Sequence, residues 1–275
     1  MSDLGYGKKR VVVVGCFSGM GEATARQLLS LGAEVHGLDY KESKLNLASF
    51  VHVDLRDPAS IDAAVAKIGG RVDALFNCAG LAQTFPPLDV MKVNYIGTRR
   101  LTERMLPLMP QGSAIASISS TAGFGWSRRV PTIMEFLQRD SYESAFQWCE
   151  ENLATVAEGY SFSKEVLIVW TMMMGAHYIK RGVRINCTLP GPTETPMMAE
   201  FLSATPREVI DAALQPINRR SKPEEQATAL VYLNSDWASY VNGVAFPVDG
   251  GFMGGVTTGQ VDLSFMMRAA AGQQS

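Results

Sequence analysis

Short apolar runs rich in valine, isoleucine and leucine alternate along the chain with longer segments in which apolar residues recur at helical spacing. The first pattern is typical of buried strands and the second of amphipathic helices. The predicted strands are residues 10–14, 34–39, 50–54, 72–78, 114–119, 183–189 and 244–248. The predicted helices are residues 20–31, 58–68, 89–105, 159–178 and 223–233. Because such alternation gives parallel strands covered on both faces, we predict an α/β fold with a doubly wound, seven-stranded parallel sheet in one domain, residues 1–275.

Two regions depart from this alternation. Residues 126–158 mix aromatic and charged positions and predict one or two amphipathic helices, inserted beside the edge of the sheet where a substrate would bind. A plain surface cover or a contact between subunits is the alternative for this insertion. The tail, residues 252–275, contains several glycines and methionines, and we expect it to be partly mobile.

Composition narrows the class of protein. The 275 residues are 47% hydrophobic and 19% charged, with a formal net charge of −2, so the chain can bury a large core. Its arginines occur in isolated pairs, so we expect no nucleic-acid partner. No apolar run has the length of a signal or membrane segment, and we expect a cytoplasmic protein without a membrane partner. The four cysteines form no CxxC pair, and we predict neither disulfides nor a metal site.

A glycine-rich loop connects the first predicted strand to the first helix. It contains Gly15, Gly19 and Gly21, with Ser18 and Met20 between them. Glycine there permits a tight turn and close approach of a pyrophosphate, whose charge meets the N–H groups of the helix N-terminus. The spacing is GxxxGxG rather than GxGxxG, so the argument depends on the position directly after the first strand. This position predicts a dinucleotide site in a Rossmann-type fold.

Asp39 ends the second predicted strand, 18 residues after Gly21 (39 − 21). A carboxylate at this distance accepts hydrogen bonds from the adenosine ribose and repels a 2′-phosphate, which favours NAD over NADP. Lys41 lies close enough to weaken that preference. An ordinary turn aspartate is the alternative interpretation.

Tyr160 and Lys164 lie one helical turn apart on a predicted helix whose opposite face is apolar. A free tyrosine has a pKa of about 10, too high for a base at neutral pH. We expect the Lys164 ammonium, together with the charge of an oxidised nicotinamide, to lower that pKa. The pair therefore predicts proton exchange between Tyr160 and a secondary alcohol, coupled to hydride transfer.

These motifs resemble the short-chain dehydrogenase/reductase family from about residue 9 to residue 251. The matching residues, in chain order, are Gly15, Gly19, Gly21, Asp39, Asp54, Asn77 to Gly80, Asn94, Ser120, Tyr160, Lys164, Pro190, Gly191, Thr195 and Asp249 to Gly251. The resemblance implies a nicotinamide-dependent oxidoreductase that assembles as a homodimer or homotetramer through its long helices.

The same resemblance implies roles for individual residues. For the cofactor, Asp54 and Leu55 would bind the adenine, Thr195 the nicotinamide carboxamide, and Lys164 the nicotinamide ribose. Asn77 and the small residues after it would stabilise the central sheet and let the backbone approach the cofactor. The other implied cofactor-site residues are Ala79, Gly80, Tyr160, Pro190, Gly191 and Thr193. Thr195 could instead simply cap the segment before Pro196.

For catalysis, Ser120 would hold the substrate oxygen. Its neighbour Ser119 is the weaker candidate, because adjacent strand residues face opposite sides. Asn94 would hold a water beside Lys164 in a proton relay, or else mark a helix kink.

The substrate is expected to be a bulky hydrophobic alcohol or ketone. Ser120 and Tyr160 are 40 residues apart (160 − 120), further than in the common family pattern. A similar insertion is a feature of the 3α-hydroxysteroid dehydrogenase/carbonyl reductase subgroup and of coniferyl-alcohol dehydrogenases. Expected cleft residues are Thr121, Phe124, Trp126, Met197, Met198, Phe201, Leu202 and Phe252. An apolar cleft with few polar groups suits a hydroxysteroid or an aromatic alcohol.

Other functions remain open at this point. A dihydrodiol dehydrogenase, another alcohol dehydrogenase or a ring epimerase of the same family would use the same residues. A non-catalytic module that senses NAD would need the glycine loop but no acid/base. Enoyl reduction is disfavoured, because that branch of the family spaces its tyrosine and lysine further apart.

Overall fold

The sheet is the organising element of the computed structural model, which describes residues 4–261 and 263. In this part of the chain seven strands pair in parallel in the order β3-β2-β1-β4-β5-β6-β7. They are β1 Arg10–Val14, β2 Glu34–Asp39, β3 Ser49–His52, β4 Ala74–Asn77, β5 Ala114–Ile118, β6 Arg184–Pro190 and β7 Ala245–Val248. The predicted doubly wound α/β fold in a single domain is confirmed.

Helices cover both faces of this sheet. Those in the described residues are α1 Gly19–Ser30, α2 Pro58–Ile68, α3 Pro87–Met91, α4 Thr98–Met105, α5 Val130–Leu137, α6 Tyr142–Glu151, α7 Leu153–Val156, α8 Gly159–Tyr178, α9 Met197–Ala204, α10 Arg207–Ala212, α11 Pro223–Asn234 and α12 Phe252–Thr257. The 3₁₀ turns are Leu106–Leu108, Thr121–Arg128, Ile179–Arg181 and Asp236–Ala238. Within residues 4–261, no helix is long and apolar enough to cross a membrane.

The valines of β1 divide the core between the two faces. Val12 and Val14 pack with residues of α2, α4 and α8, whereas Val11 and Val13 pack with residues of α1 and α11. Alternate side chains of a strand point to opposite faces, and both faces are covered here. All four valines of β1 are therefore part of the hydrophobic core, two on each face of the sheet.

The chain changes direction across the sheet between β1 and β4. From β1 the order continues through β2 to β3 on one side, and from β4 through β5 to β7 on the other. The loops that leave the carboxyl ends of β1 and β4 diverge at this point and leave a crevice, where ligands of such folds bind.

The predicted helix 89–105 is one continuous element with a π-helical turn, Lys92–Gly97, between α3 and α4. Gly97 lies against the backbone oxygen of Leu55, where a Cβ atom would collide. The Thr98 hydroxyl donates to the Val93 carbonyl at 2.9 Å, five residues back. The wider turn brings the loop after β3 close to this helix.

The insertion forms two longer helices, α5 and α6, followed by the short α7. The rings of Phe136 and Trp148 lie 4.8 Å apart, and Trp148 stacks on Phe162 of α8 at 6.1 Å. The Tyr142 hydroxyl donates to the Arg56 backbone oxygen at 2.6 Å. The amphipathic helices that the sequence predicts are thus present, and they pack against α8 and reach the loop after β3.

The tail begins with α12, which the sequence did not predict as a helix. Residues 264–275 lie outside the described residues, so the expected mobility of the tail stays a prediction.

Candidate active site

Two connected clefts open at the carboxyl edge of the sheet. The first, about 530 Å³, lies among the loops after β1, β2, β3 and β4. The second, about 470 Å³, lies among the loops after β4, β5 and β6 and helix α9. Met20, Thr195 and Met197 line both clefts, so the two form one continuous trench.

Most residues predicted for the site line this trench. In the first cleft these are Gly15, Ser18, Gly19, Met20, Asp39, Asp54, Leu55, Ala79, Gly80 and Thr195. In the second they are Met20, Ala79, Gly80, Ser120, Thr121, Phe124, Tyr160, Lys164, Pro190, Gly191, Thr193, Thr195, Met197, Met198, Phe201 and Phe252.

The glycine loop forms a cradle that larger residues would fill. Gly15 has φ +85°, and a Cβ there would lie 2.5 Å from the Ala79 backbone nitrogen. A Cβ on Gly21 would collide with the Gly15 carbonyl oxygen beneath the loop. Ser18 precedes α1, so the N-terminus of this helix faces the first cleft. A cradle of this shape beside a helix N-terminus fits the pyrophosphate of a dinucleotide.

Asp39 is held at the edge of the first cleft by two backbone groups. Its Oδ2 accepts from the Phe17 N–H and its Oδ1 from the Lys41 N–H, both at 2.9 Å. The Lys41 ammonium lies 5.5 Å from the centroid of the Phe17 ring. Carboxylate and ammonium therefore stand on the same rim of the cleft, as the sequence analysis anticipated.

Asp54 shares its carboxylate with a neighbour. Arg56 contacts both oxygens, with Nη2 at 2.8 Å from Oδ2 and Nε at 3.0 Å from Oδ1. This guanidinium holds the pKa of Asp54 below its usual value. Any ligand group that binds Asp54 must therefore compete with Arg56.

The Asn77 side chain points into the sheet rather than into the trench. Its Nδ2 donates to the Thr102 hydroxyl at 3.0 Å and to the Ser117 hydroxyl at 3.1 Å. The residue is 4% exposed and lines neither cleft. Asn77 is thus not positioned to contact a cofactor directly, and it supports the site through the central strands.

Ser120, Tyr160 and Lys164 meet in the second cleft. The Lys164 Nζ lies 5.5 Å from the centroid of the Tyr160 ring. The Ser120 hydroxyl lies on the phenol side of the cleft and favours a lower Tyr160 pKa, and it accepts from the Ala122 N–H at 3.1 Å. The Ser119 hydroxyl instead donates to the Lys164 backbone oxygen at 2.9 Å. The two neighbouring serines thus have different partners, and it is Ser120 that influences the phenol.

Burial dominates the electrostatics of Tyr160. It raises the pKa of Tyr160, and the opposing effect of Ser120 is smaller. Burial also lowers the pKa of Lys164 to about 8, and its ammonium donates to the Ile118 carbonyl at 2.9 Å. The expected lowering of the phenol pKa by Lys164 together with an oxidised nicotinamide stays a prediction, and it would have to overcome this desolvation.

Asn94 lies in the π-helical turn and is 2% exposed. Its Oδ1 accepts from the Leu81 N–H at 2.7 Å, and its Nδ2 donates to the Ser163 hydroxyl at 3.2 Å. A Cβ on Gly80 would lie 3.3 Å from the Asn94 Oδ1 and 3.9 Å from the Lys164 Nζ. The amide and the ammonium therefore both border Gly80, and Asn94 lies in a helix with a local distortion.

Helix α9 forms the apolar wall of the second cleft. It contributes Met197, Met198 and Phe201, and the Phe201 ring packs edge-on against Tyr160 with centroids 5.0 Å apart. Trp126 and Leu202 were expected here but do not line the cleft: Trp126 packs into the core, and Leu202 is exposed.

Further lining residues escaped the sequence analysis. They lie mostly on the loop after β4, on α10 and at the end of the described chain, and are Leu81, Gln83, Ser161, Thr205, Val209, Ile210, Ala213, Val256 and Leu263. None belongs to a recognisable motif, and α10 and α12 are too short to give a clear periodicity.

Most of the insertion lies away from the trench in the described structure. No residue between 130 and 156 lines either cleft, and Trp148 of α6 stacks on Phe162 of α8. Ala157 and Glu158, at the end of the insertion, line a further cavity together with Tyr160 and Ser161. The expectation that the insertion adjoins the substrate cleft stays a prediction.

Comparisons with known proteins agree with this geometry. A family model described as short chain dehydrogenase matches residues 9–131, and one described as Enoyl-(Acyl carrier protein) reductase matches residues 148–253. The coniferyl-alcohol dehydrogenase of Pseudomonas sp. (strain HR199 / DSM 7063) is 35% identical over 244 residues, covering 88% of this chain and 96% of that protein. This chain belongs to the short-chain dehydrogenase/reductase family.

Two further similarities extend over most of the chain. The 3-alpha-hydroxysteroid dehydrogenase/carbonyl reductase of Comamonas testosteroni is 30% identical, covering 88% of this chain and 95% of that protein. The crystal structure of the 3-alpha-hydroxysteroid dehydrogenase from Pseudomonas sp. B-0831, complexed with NADH, matches with a TM-score of 0.77 at 28% identity, covering 90% of this chain and 98% of that one. As a short-chain dehydrogenase/reductase, this protein is an oxidoreductase that acts on CH–OH groups with a nicotinamide cofactor.

Proposed function

We propose that this short-chain dehydrogenase/reductase interconverts a secondary alcohol and a ketone on a bulky hydrophobic substrate, with NAD as its cofactor. The observation that carries the proposal is the meeting of Ser120, Tyr160 and Lys164 in an otherwise largely apolar cleft, continuous with the glycine cradle. A hydroxysteroid or an aromatic alcohol is the substrate class that such a lining favours.

Tyr160 is proposed as the acid/base. In oxidation the alcohol O–H proton passes to the Tyr160 oxygen while the adjacent carbon gives up hydride, and in reduction both transfers reverse. The nicotinamide supplies the hydride acceptor or donor when bound. The Ser120 hydroxyl holds the substrate oxygen beside the phenol.

Lys164 and Asn94 are proposed to support the proton transfer. Since burial raises the pKa of Tyr160, a neutral phenol is the resting form and is suited to donate a proton. Ionisation for the oxidative direction requires nearby positive charge, which Lys164 provides together with an oxidised nicotinamide. Asn94, which borders Gly80 as Lys164 does, supports a proton relay from that side of the site.

The proposed cofactor site follows the trench. The pyrophosphate lies over Gly15, Ser18, Gly19 and Met20, and Gly21 allows close packing of α1 under the loop. Asp39 binds the adenosine ribose and disfavours a 2′-phosphate, so NAD is preferred over NADP. Asp54 and Leu55 lie beside the adenine. The nicotinamide half lies against Ala79, Gly80, Lys164, Pro190, Gly191, Thr193 and Thr195, with Thr195 on the carboxamide.

The names of similar proteins support an alcohol substrate with a ring. One relative is a coniferyl-alcohol dehydrogenase and another a 3-alpha-hydroxysteroid dehydrogenase. In this chain Thr121, Met197, Met198 and Phe201 form the substrate wall. A cytoplasmic location and a homodimeric or homotetrameric assembly stay predictions.

The test combines a substrate panel with one variant. Purified protein is mixed with NAD and a series of hydroxysteroids and aromatic alcohols, and NADH formation is followed by absorbance. Tyr160→Phe is expected to lower turnover by roughly 10²–10⁴-fold while keeping cofactor affinity. Turnover of dihydrodiols alone would change the proposed substrate class to dihydrodiols. Full activity of the Tyr160→Phe variant would refute the acid/base role of Tyr160. A module that only senses NAD would bind the cofactor without turnover in either form.

A further inference from the structure

A chain of side-chain hydrogen bonds fastens the segment 190–195 to helix α11. Gln226 donates through Nε2 to the Ser221 hydroxyl at 2.9 Å. The hydroxyls of Ser221 and Thr193 lie 2.9 Å apart, and Thr193 donates to the Gly191 carbonyl at 2.9 Å. The bonds have one consistent direction, from the amide through two hydroxyls to the carbonyl. The chain therefore connects a buried helix residue to the wall of the second cleft.

Gln226 also joins this segment to the end of β7. Its Nε2 donates to the Val248 carbonyl at 2.8 Å, and the Gly191 N–H donates to the same oxygen at 3.1 Å. The backbone reinforces the connection, since Ser221 N–H donates to Pro192 and Glu194 N–H donates to Ser221. One amide thus fixes the segment from two sides.

Gln226 itself is fully buried and lines neither cleft. Any effect it has on a ligand must pass through its partners, either Ser221 and Thr193 or the Val248 carbonyl that Gly191 also binds. We propose that Gln226 is a positioning residue that sets where residues 190–195 lie over the nicotinamide half of the cofactor. This inference rests on the proposed cofactor site, in which the adenosine half occupies the first cleft and the nicotinamide half the second.

Stability does not explain the glutamine at this position. Its Oε1 is buried and has no hydrogen-bond partner among the described residues. A buried polar atom without a partner offsets much of what the amide gains from its two bonds. Methionine, of similar length and apolar, is therefore expected to preserve the fold at residue 226.

The experiment compares NAD⁺ with ADP-ribose, which lacks the nicotinamide. Dissociation constants of both are measured by calorimetry for the wild-type protein and for Gln226→Met. The variant is expected to bind NAD⁺ about five- to tenfold more weakly, as loss of one or two hydrogen bonds implies, and ADP-ribose within about twofold of wild type. The kcat of Gln226→Met for an alcohol that the wild-type protein oxidises is expected to fall as well.

Gln27→Met is the matched control. Gln27 of α1 also makes two hydrogen bonds through Nε2, to the Glu224 carbonyl at 2.9 Å and to the Thr228 hydroxyl at 3.1 Å, and it too contacts α11. It lines neither cleft, so this variant is expected to leave both dissociation constants unchanged within about twofold.

A second pair of variants tests the middle of the chain. Ser221→Ala removes the hydroxyl between Gln226 and Thr193 and is expected to reproduce the selective loss of NAD⁺ affinity, whereas Ser221→Thr keeps a hydroxyl and restores it. Equal weakening of NAD⁺ and ADP-ribose, or no weakening by Gln226→Met and Ser221→Ala, would overturn the positioning role. A wild-type protein that binds neither ligand would instead overturn the proposed cofactor site, and the inference with it.

Discussion

The Nζ of Lys164 donates a hydrogen bond to the carbonyl oxygen of Ile118 at 2.9 Å. Ile118 ends β5, and Ser120 follows two residues later in the chain. The same ammonium lies 5.5 Å from the centroid of the Tyr160 ring. Lys164 therefore connects the end of β5, which is followed by Ser120, to α8, which contains Tyr160. Its ammonium is held at a fixed position between these two elements.

This buried ammonium predicts a pH dependence of stability. The Lys164 pKa is about 8 in the folded protein, below the ordinary value of 10.5, so between these values the unfolded chain binds more protons. Below pH 8 the folded protein bears the whole free-energy cost of burying the ammonium. This cost decreases as the pH rises towards 10.5, because the buried amine loses its proton. Relative to Lys164→Met, the wild-type free energy of unfolding is expected to rise by roughly 1–2 kcal/mol from about pH 7.5 to about pH 9.5. Urea denaturation at both pH values measures it, and parallel pH profiles of the two proteins would contradict it.

The two adjacent serines are expected to separate catalysis from packing. Ser120→Ala removes the hydroxyl proposed to hold the substrate oxygen and is expected to lower kcat by roughly 10–100-fold, with a stability cost of about 1 kcal/mol from the lost bond to the Ala122 N–H. Ser119→Ala removes a buried bond to the Lys164 backbone and is expected to cost about 1 kcal/mol of stability with a smaller kinetic effect. Steady-state kinetics and thermal denaturation of both variants give the comparison. A larger kinetic loss at Ser119 would assign the substrate oxygen to the other serine.

Asp39 is expected to set the preference between NAD and NADP. Asp39→Asn removes the negative charge but keeps an oxygen for one of the two backbone N–H groups it now binds. The ratio of NADP to NAD affinity is expected to rise by about tenfold or more, since a charged hydrogen bond is lost and a repulsion removed. Fluorescence titration with both cofactors measures the ratio. An unchanged ratio would mean that Asp39 only stabilises a turn and does not select the cofactor.

Phe201 and its neighbour Leu202 offer a matched test of the substrate wall. Phe201 packs edge-on against Tyr160, whereas Leu202 is 45% exposed and outside the cleft. Phe201→Ala is expected to raise KM for a ring-containing alcohol by about three- to tenfold, while Leu202→Ala leaves it unchanged. Equal effects of the two substitutions on KM would indicate that α9 shields the cleft from solvent without a specific contact between Phe201 and the substrate.

The strands and the shared helix face of Tyr160 and Lys164 could be predicted because their signals are local. The β-branched runs end within two residues of the observed strands, and Tyr160 and Lys164 share a helix face at any position of that helix in the fold. The glycine loop was equally readable, since only glycine fits where Gly15 approaches Ala79.

What could not be predicted depends on contacts between distant segments. The Tyr160 pKa is decided by how much of the chain covers the phenol, which no spacing reveals. Asn77 donates hydrogen bonds to Thr102, on a helix, and to Ser117, on a neighbouring strand. These partners are brought to Asn77 only in the folded protein. The course of the insertion likewise depends on its contact with Arg56, whose backbone oxygen accepts from the Tyr142 hydroxyl 86 residues later in the chain.

The hydroxyl of Tyr142, in α6, holds the backbone of Arg56, and Arg56 borders the first cleft together with Asp54 and Leu55. The extra helices that precede Tyr160 in the chain are thus coupled to the first cleft, at the opposite end of the trench. With the proposed cofactor site, shortening α6 is expected to weaken binding of the adenosine moiety first. The selection among alcohols would stay with α9 and α12, so the two properties can change independently during evolution.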